Sequence, residues 1–145
     1  MTQGENGGVT ARLDGLVETV IAPYRSENAH CTIEGPSVAL SERQVVPVGL
    51  VLHELVTNAV KYGAWSQPGG DIAIRWELAG DKPHRLRLEW REHCDQAPEP
   101  SNGKRGFGSM LLQSSARQLD GEWTRELEDD GIAVTLSFPL EEPAA

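Results

Sequence analysis

One segment constrains the fold of this chain more than any other. From Ser41, SERQVVPVGLVLHELVTNAVKYGA keeps apolar residues at helical spacing for some five turns and stops at Gly63. At about 100° per residue, Val45, Val48, Leu52, Leu55, Val56 and Ala59 fall on a single arc. A helix with one apolar arc must lay it on another layer. The sequence supplies that layer next, because DIAIRWEL and RLRLEWRE both alternate at period two, as half-buried neighbouring strands do. Ser41 is the candidate N-cap and Glu42 places an acid in the first turn. Pro47 leaves two options, a kink in the first turns or a helix start near Val46.

Around this core the remaining elements follow. Leu13, Leu16, Val17, Val20 and Ile21 mark a short amphipathic helix before Pro23. HCTIEG and SVAL read as short strands separated by a Gly35-Pro36 turn. GFGSMLLQSSARQLDG is a second core helix, with Met110, Leu111, Ala116 and Leu119 as its expected buried positions. EWTRELEDDGIAVTLSFPL reads as a hairpin turning at Asp130-Gly131. Trp76, Trp90 and Trp123 fall in strand patterns and are expected to pack on the sheet, while Trp65 is placed to wall a pocket. The expected architecture is an α/β two-layer sandwich: a mixed, mostly antiparallel sheet covered on one face by about three helices. Residues 93–105 have no periodicity and are rich in Pro, Gly, Ser and Asn, the signature of a long functional loop or lid. Residues 1–12 and 141–145 are expected to be flexible, flanking one domain over 13–140.

Composition excludes several classes. A net charge of −9 argues against broad binding of a nucleic-acid backbone, though a nucleotide needs only a local positive pocket. There is no apolar run long enough to span a bilayer and no signal-peptide pattern, so the expected location is the cytoplasm. Cys31 and Cys94 lie far apart without a CxxC or Cys/His cluster and read as two reduced thiols.

The apolar arc leaves an opposite face. With Glu54 set at zero, Asn58 lies near about 40° and Lys61 near about 340°, so a carboxylate, a carboxamide and an ammonium share one stripe. A carboxamide oxygen suits Mg²⁺, which keeps waters and phosphate oxygens as its other ligands. Lys61 can balance phosphate charge, and Glu54 can orient or deprotonate an incoming nucleophile. The bland alternative is the solvated face of an amphipathic helix. GKRGFGSM then brings Gly103, Gly106 and Gly108 to the start of a helix, where backbone N–H groups can approach a phosphate.

In combination, HELVTNAVKYGA, LEWRE at a strand end, a proline-containing loop and GFGSMLL resemble the catalytic ATP-binding domain of histidine kinases in the GHKL superfamily. His53 at the head of the Asn-bearing helix and the Trp90-x-Glu92 pair resemble the HWE subfamily, which is named for those residues. The resemblance runs from about Leu13 to Pro139. It implies ATP and Mg²⁺ as cofactors, with Asn58 as Mg²⁺ ligand and Lys61 at the phosphates. Glu54 and His53 are the implied catalytic positions, and Trp90 is a subfamily marker. Glu92 stands where related kinases accept a hydrogen bond from the adenine amino group, and Tyr62, Gly106, Phe107 and Gly108 complete the implied ATP set. One departure is the turn after Glu92, His93-Cys94-Asp95-Gln96-Ala97-Pro98, which lacks the glycines usual there and predicts either reduced ATP affinity or a turn of another shape beside the purine.

The resemblance further implies transfer of the γ-phosphoryl group to a histidine on a separate dimerisation domain, and from there to a response regulator. Only about twelve polar residues precede the first helix, so that domain is expected to be absent and the chain to be a monomer inactive alone. Two other readings stand beside this one: an anti-sigma-factor-type serine kinase, and a degenerate docking module that no longer binds ATP.

Overall fold

A computed structural model describes residues 11–25, 29–81, 84–94 and 106–141. Three helices, α1 (Leu13–Ile21), α2 (Glu42–Lys61) and α3 (Gly106–Gln118), lie on a five-stranded sheet. Its strands are β2 (His30–Glu34), β4 (Asp71–Ala79), β5 (Arg85–His93), β6 (Glu122–Glu128) and β7 (Gly131–Pro139), in the spatial order β2-β4-β5-β7-β6. β2 runs parallel to β4 and every other pairing is antiparallel. A separate two-stranded ribbon pairs β1 (Ala11–Arg12) with β3 (Ala39–Leu40). This is the expected two-layer sandwich, with α2 packed between α1 and α3.

The period-two strands work as read. Ile72, Ile74 and Trp76 on β4, Leu86, Leu88 and Trp90 on β5, and Val134, Leu136 and Phe138 on β7 are buried beneath the helices. Cross-strand register puts Trp90 between Ile74 and Val134, and Leu88 between Trp76 and Leu136. Alternate residues point away from the helices and form an ionic ladder: Arg75 with Glu34, Arg87 with Glu77, and Arg91 with both Glu89 and Glu128. Such solvent-facing pairs contribute little stability individually and keep this face hydrated. From α2 come Val48, Val51, Leu52, Leu55, Val56 and Ala59, while Val45 is only partly buried.

α2 starts at Glu42 and runs through Pro47, which is buried, so the later start near Val46 is not used. Ser41 flanks the helix in extended conformation, yet its hydroxyl does not cap it. It donates instead to Glu141 at 2.6 Å, and Arg43 pairs with the same carboxylate at 3.3 Å. Gln44, buried, donates to the Pro139 carbonyl at 2.9 Å and accepts from the Glu141 amide at 3.2 Å. The position following β7 is thus fastened to the start of α2.

Three local expectations are corrected. On α3, Met110 is 65% exposed and Leu111 only partly buried, whereas Leu112 is buried with Ser115, Ala116 and Leu119. The i, i+3, i+4, i+7 set beginning at Leu112 is the core stripe. The hairpin turns at Asp129-Asp130, with Glu128 paired to Gly131, one position earlier than the Asp-Gly signal suggested. Gly131 belongs to β7 because its bare Cα sits against the Glu92 carbonyl, where a side chain would collide. SVAL contributes only Ala39–Leu40 as strand. Of the expected lid, residues 93–105, His93 instead ends β5, and 95–105 lie outside the described residues, as do 1–10 and 142–145.

Candidate functional site

The last two turns of α2 carry the polar stripe. Glu54 and Asn58 are half-buried, while His53, Lys61 and Tyr62 are exposed, Tyr62 at 49%. The side chains of Glu54, Asn58 and Lys61 have no hydrogen-bond or ion-pair partner among the described residues. Their backbone is well ordered: Asn58 carbonyl accepts from both the Tyr62 amide, at 2.7 Å, and the Gly63 amide, at 3.1 Å. A rigid backbone presenting unpaired polar heads is the arrangement a ligand-binding surface needs.

Directly beyond, the helix end meets β5. Glu92 is only 3% exposed, an unusual position for a carboxylate. Its Oε1 accepts from the Ala64 amide at 3.0 Å and its Oε2 accepts from the Trp90 indole N–H at 2.8 Å. Trp90 reaches it because residues two apart on a strand share a face. Gly63 lies flat against the same carboxylate, and any Cβ there would strike Glu92 Oε1. Burial raises the carboxyl's pKa above its ordinary 4.5; the Ala64 and Trp90 donors and the nearby Arg125 guanidinium oppose that rise.

The inner face of the sheet continues past Glu92 onto β7 and β6. Register aligns Glu92 with Ile132 and Ile132 with Leu127, which is 69% exposed. A buried acceptor therefore adjoins an apolar ledge, with the unpaired Asn58 stripe one turn away on α2. A purine has matching features, an apolar ring bearing an exocyclic N–H₂ donor. Beyond Glu92, His93 completes β5 and its Nδ1 meets Asp130 Oδ2 at 2.7 Å, while the Cys94 amide donates to the Asp130 carbonyl at 2.6 Å. The start of the glycine-free stretch is thus strapped to the β6–β7 turn.

The structure brings together His53, Glu54, Asn58, Lys61 and Tyr62 through α2, and joins Trp90 and Glu92 to the end of that helix. Gly106, Phe107 and Gly108 open α3, and the preceding Gly103, Lys104 and Arg105 lie outside the described residues. Sequence reading missed the clamp on Glu92. Gly63 was legible only as a helix terminator, and Trp90 as a packing residue and subfamily marker, not as a hydrogen-bond donor to Glu92. The i, i+2 spacing of Trp90 and Glu92 was the available signal.

The donor set fits Mg²⁺ in one way only. Among the described residues no cluster of three or more His, Cys, Asp or Glu side chains could cage a metal, whereas a half-buried, unpartnered carboxamide at Asn58 can add one oxygen to an ion held mainly by phosphate and water. Also among the described residues, no helix is long and apolar enough to cross a membrane.

No protein-family model matches the chain. It is 36% identical over 135 residues to blue-light-activated histidine kinase 1 of Erythrobacter litoralis, covering 90% of this chain and 36% of that protein. It is 34% identical over 134 residues to the blue-light-activated histidine kinase of Brucella ovis, covering 90% and 27%. The chain therefore spans about a third of the length of the curated relatives it matches. Among solved structures, the nucleotide-free catalytic domain of histidine kinase ThkA superposes with a TM-score of 0.71 at 17% identity, covering 93% of this chain and 97% of that one. ThkA in complex with the response regulator protein TrrA superposes with a TM-score of 0.67, covering 92% and 42%. The chain is homologous to a segment of the blue-light-activated histidine kinases and has the fold of histidine kinase catalytic domains.

Proposed function

We propose that this chain binds Mg-ATP and donates its γ-phosphoryl group to a histidine on a dimerisation domain, from which a response regulator is phosphorylated. The observation that carries this reading is the placement of the unpaired Glu54, Asn58 and Lys61 stripe beside the buried acceptor Glu92 at one end of α2. Homology to sensor kinases supports the reaction class, and the ThkA–TrrA complex supports the kind of partner.

In this reading Glu92 uses lone pairs left over from Ala64 and Trp90 to accept from the purine amino group. Leu127 and Ile132 supply an apolar surface for the ring. Asn58 would hold Mg²⁺, which when bound neutralises phosphate charge, and Lys61 adds a compact cation beside the phosphates. Glu54 faces the attacking imidazole and holds its departing proton, while His53 flanks the stripe as a second polar group. The nitrogen–phosphorus bond forms as the bond to the ADP oxygen breaks, and catalysis rests on alignment and charge stabilisation.

The test is titration of the purified chain with ATP, with and without Mg²⁺, alongside Asn58→Asp and Glu92→Ala. Absence of binding at millimolar nucleotide overturns the reading. If binding is seen, an added dimerisation domain should acquire acid-labile, base-stable phosphate, the signature of phosphohistidine.

A further inference from the structure

We infer that Trp90 is a positioning residue for purine selectivity: its indole N–H fixes the Glu92 carboxylate at the end of α2 in the one orientation that leaves acceptor capacity toward the 6-position of the ring. The inference rests on the proposed purine-facing role of Glu92.

A glutamate on a strand has three rotatable side-chain torsions, and without restraint its carboxylate would sample several directions. Here it is held from three sides. The Ala64 amide takes Oε1 and the Trp90 indole takes Oε2, both within buried surroundings. Gly63 removes the Cβ that would otherwise occupy the Oε1 position. Trp90 is itself fully buried, in register between Ile74 and Val134. A carboxylate has about four acceptor sites, so two remain after these bonds.

Both protein partners are donors, which imposes chemistry as well as direction. A carboxamide at 92 would turn an N–H₂ group toward either the Ala64 amide or the Trp90 indole, setting donor against donor. The site is built for an acceptor-only group. An acceptor fixed in place discriminates by what it leaves unpaired: a purine with no amino group at the 6-position forfeits the bond, whereas a mobile carboxylate could turn elsewhere.

The experiment compares ATP with purine riboside triphosphate, which carries hydrogen in place of the 6-amino group, in the unaltered chain and in Trp90→Phe. The phenyl ring keeps most of the packing and removes the N–H. The unaltered chain is expected to prefer ATP by about tenfold or more. In Trp90→Phe that preference should shrink to within about twofold, while affinity for purine riboside triphosphate changes by no more than about twofold. A uniform loss of affinity for both nucleotides, or an undiminished preference for ATP, overturns the role given to Trp90. Equal binding of both by the unaltered chain overturns instead the purine-facing role of Glu92. Should Trp90→Phe fail to fold, the indole N–H resonance of Trp90 in the unaltered chain decides: resistance to solvent exchange and a shift on adding ATP but not purine riboside triphosphate support the positioning role, and an indifferent resonance overturns it.

Discussion

Gly63 and the Glu92 carboxylate lie so close that a methyl group on the glycine would collide with Oε1 of the carboxylate. The glycine's φ is −111°, well outside the left-handed region, so it is required for proximity and not for backbone conformation. Gly63→Ala is expected to destabilise the chain by about 1–3 kcal/mol, the usual range for overpacking. It should also weaken ATP binding. Urea unfolding together with nucleotide titration checks both, and an alanine variant as stable as the parent would show that the contact relaxes freely.

Burial raises the pKa of Glu92, so the folded state takes up this proton at a higher pH than the unfolded chain does. The contribution of Glu92 to stability is largest below the unfolded value near 4.5 and declines as pH rises through the folded value. The difference in urea midpoint between the parent and Glu92→Ala should therefore move in the parent's favour on acidification through that window. A difference that does not vary with pH would contradict the burial argument.

The corrected face of α3 gives a paired stability test. Leu112 is 5% exposed and Met110 is 65% exposed. Leu112→Ala should cost about 2–4 kcal/mol through lost burial and the cavity left behind. Met110→Gln should stay within about 0.5 kcal/mol. Thermal or urea unfolding of the two variants reads the outcome, and equal effects would refute the assignment of faces.

Asn58 has no side-chain partner to lose among the described residues, so Asn58→Asp should leave stability within about 0.5 kcal/mol of the parent. The added negative charge beside a triphosphate should nevertheless lower affinity for Mg-ATP by about tenfold. Calorimetric titration distinguishes this from a folding defect, which would reduce the number of binding-competent molecules.

Most of the fold was legible because hydrophobic periodicity reports directly on which face is buried. The α2 arc and the alternation in β4 and β5 are enough to place the two layers. Periodicity failed where another interaction decided. Met110 and Leu111 are apolar, but the phase of α3 is set by Leu112, Ala116 and Leu119 against its neighbours. Asp130-Gly131 carried a strong turn signal, yet Gly131 is held in the strand by the approach of the Glu92 backbone. For the site, the stripe on α2 could be drawn on a wheel because it lies on one element. The Glu92 clamp joins Gly63 and Ala64 to Trp90, with Ala64 standing 28 positions before Glu92 and all of β4 in between, a contact that no local pattern encodes.

Ala11 pairs with Leu40, and Glu141 binds Ser41, Arg43 and Gln44, so the first and last described segments meet at the N-terminal end of α2. Asn58 lies some seventeen residues further along, about 25 Å at the helical rise. The molecule therefore has a tethering pole and a chemical pole, with α2 as the rod between them. A force applied at Ala11 or at Glu141 therefore acts on the end of that rod remote from the candidate nucleotide site, and moves the rod as a whole.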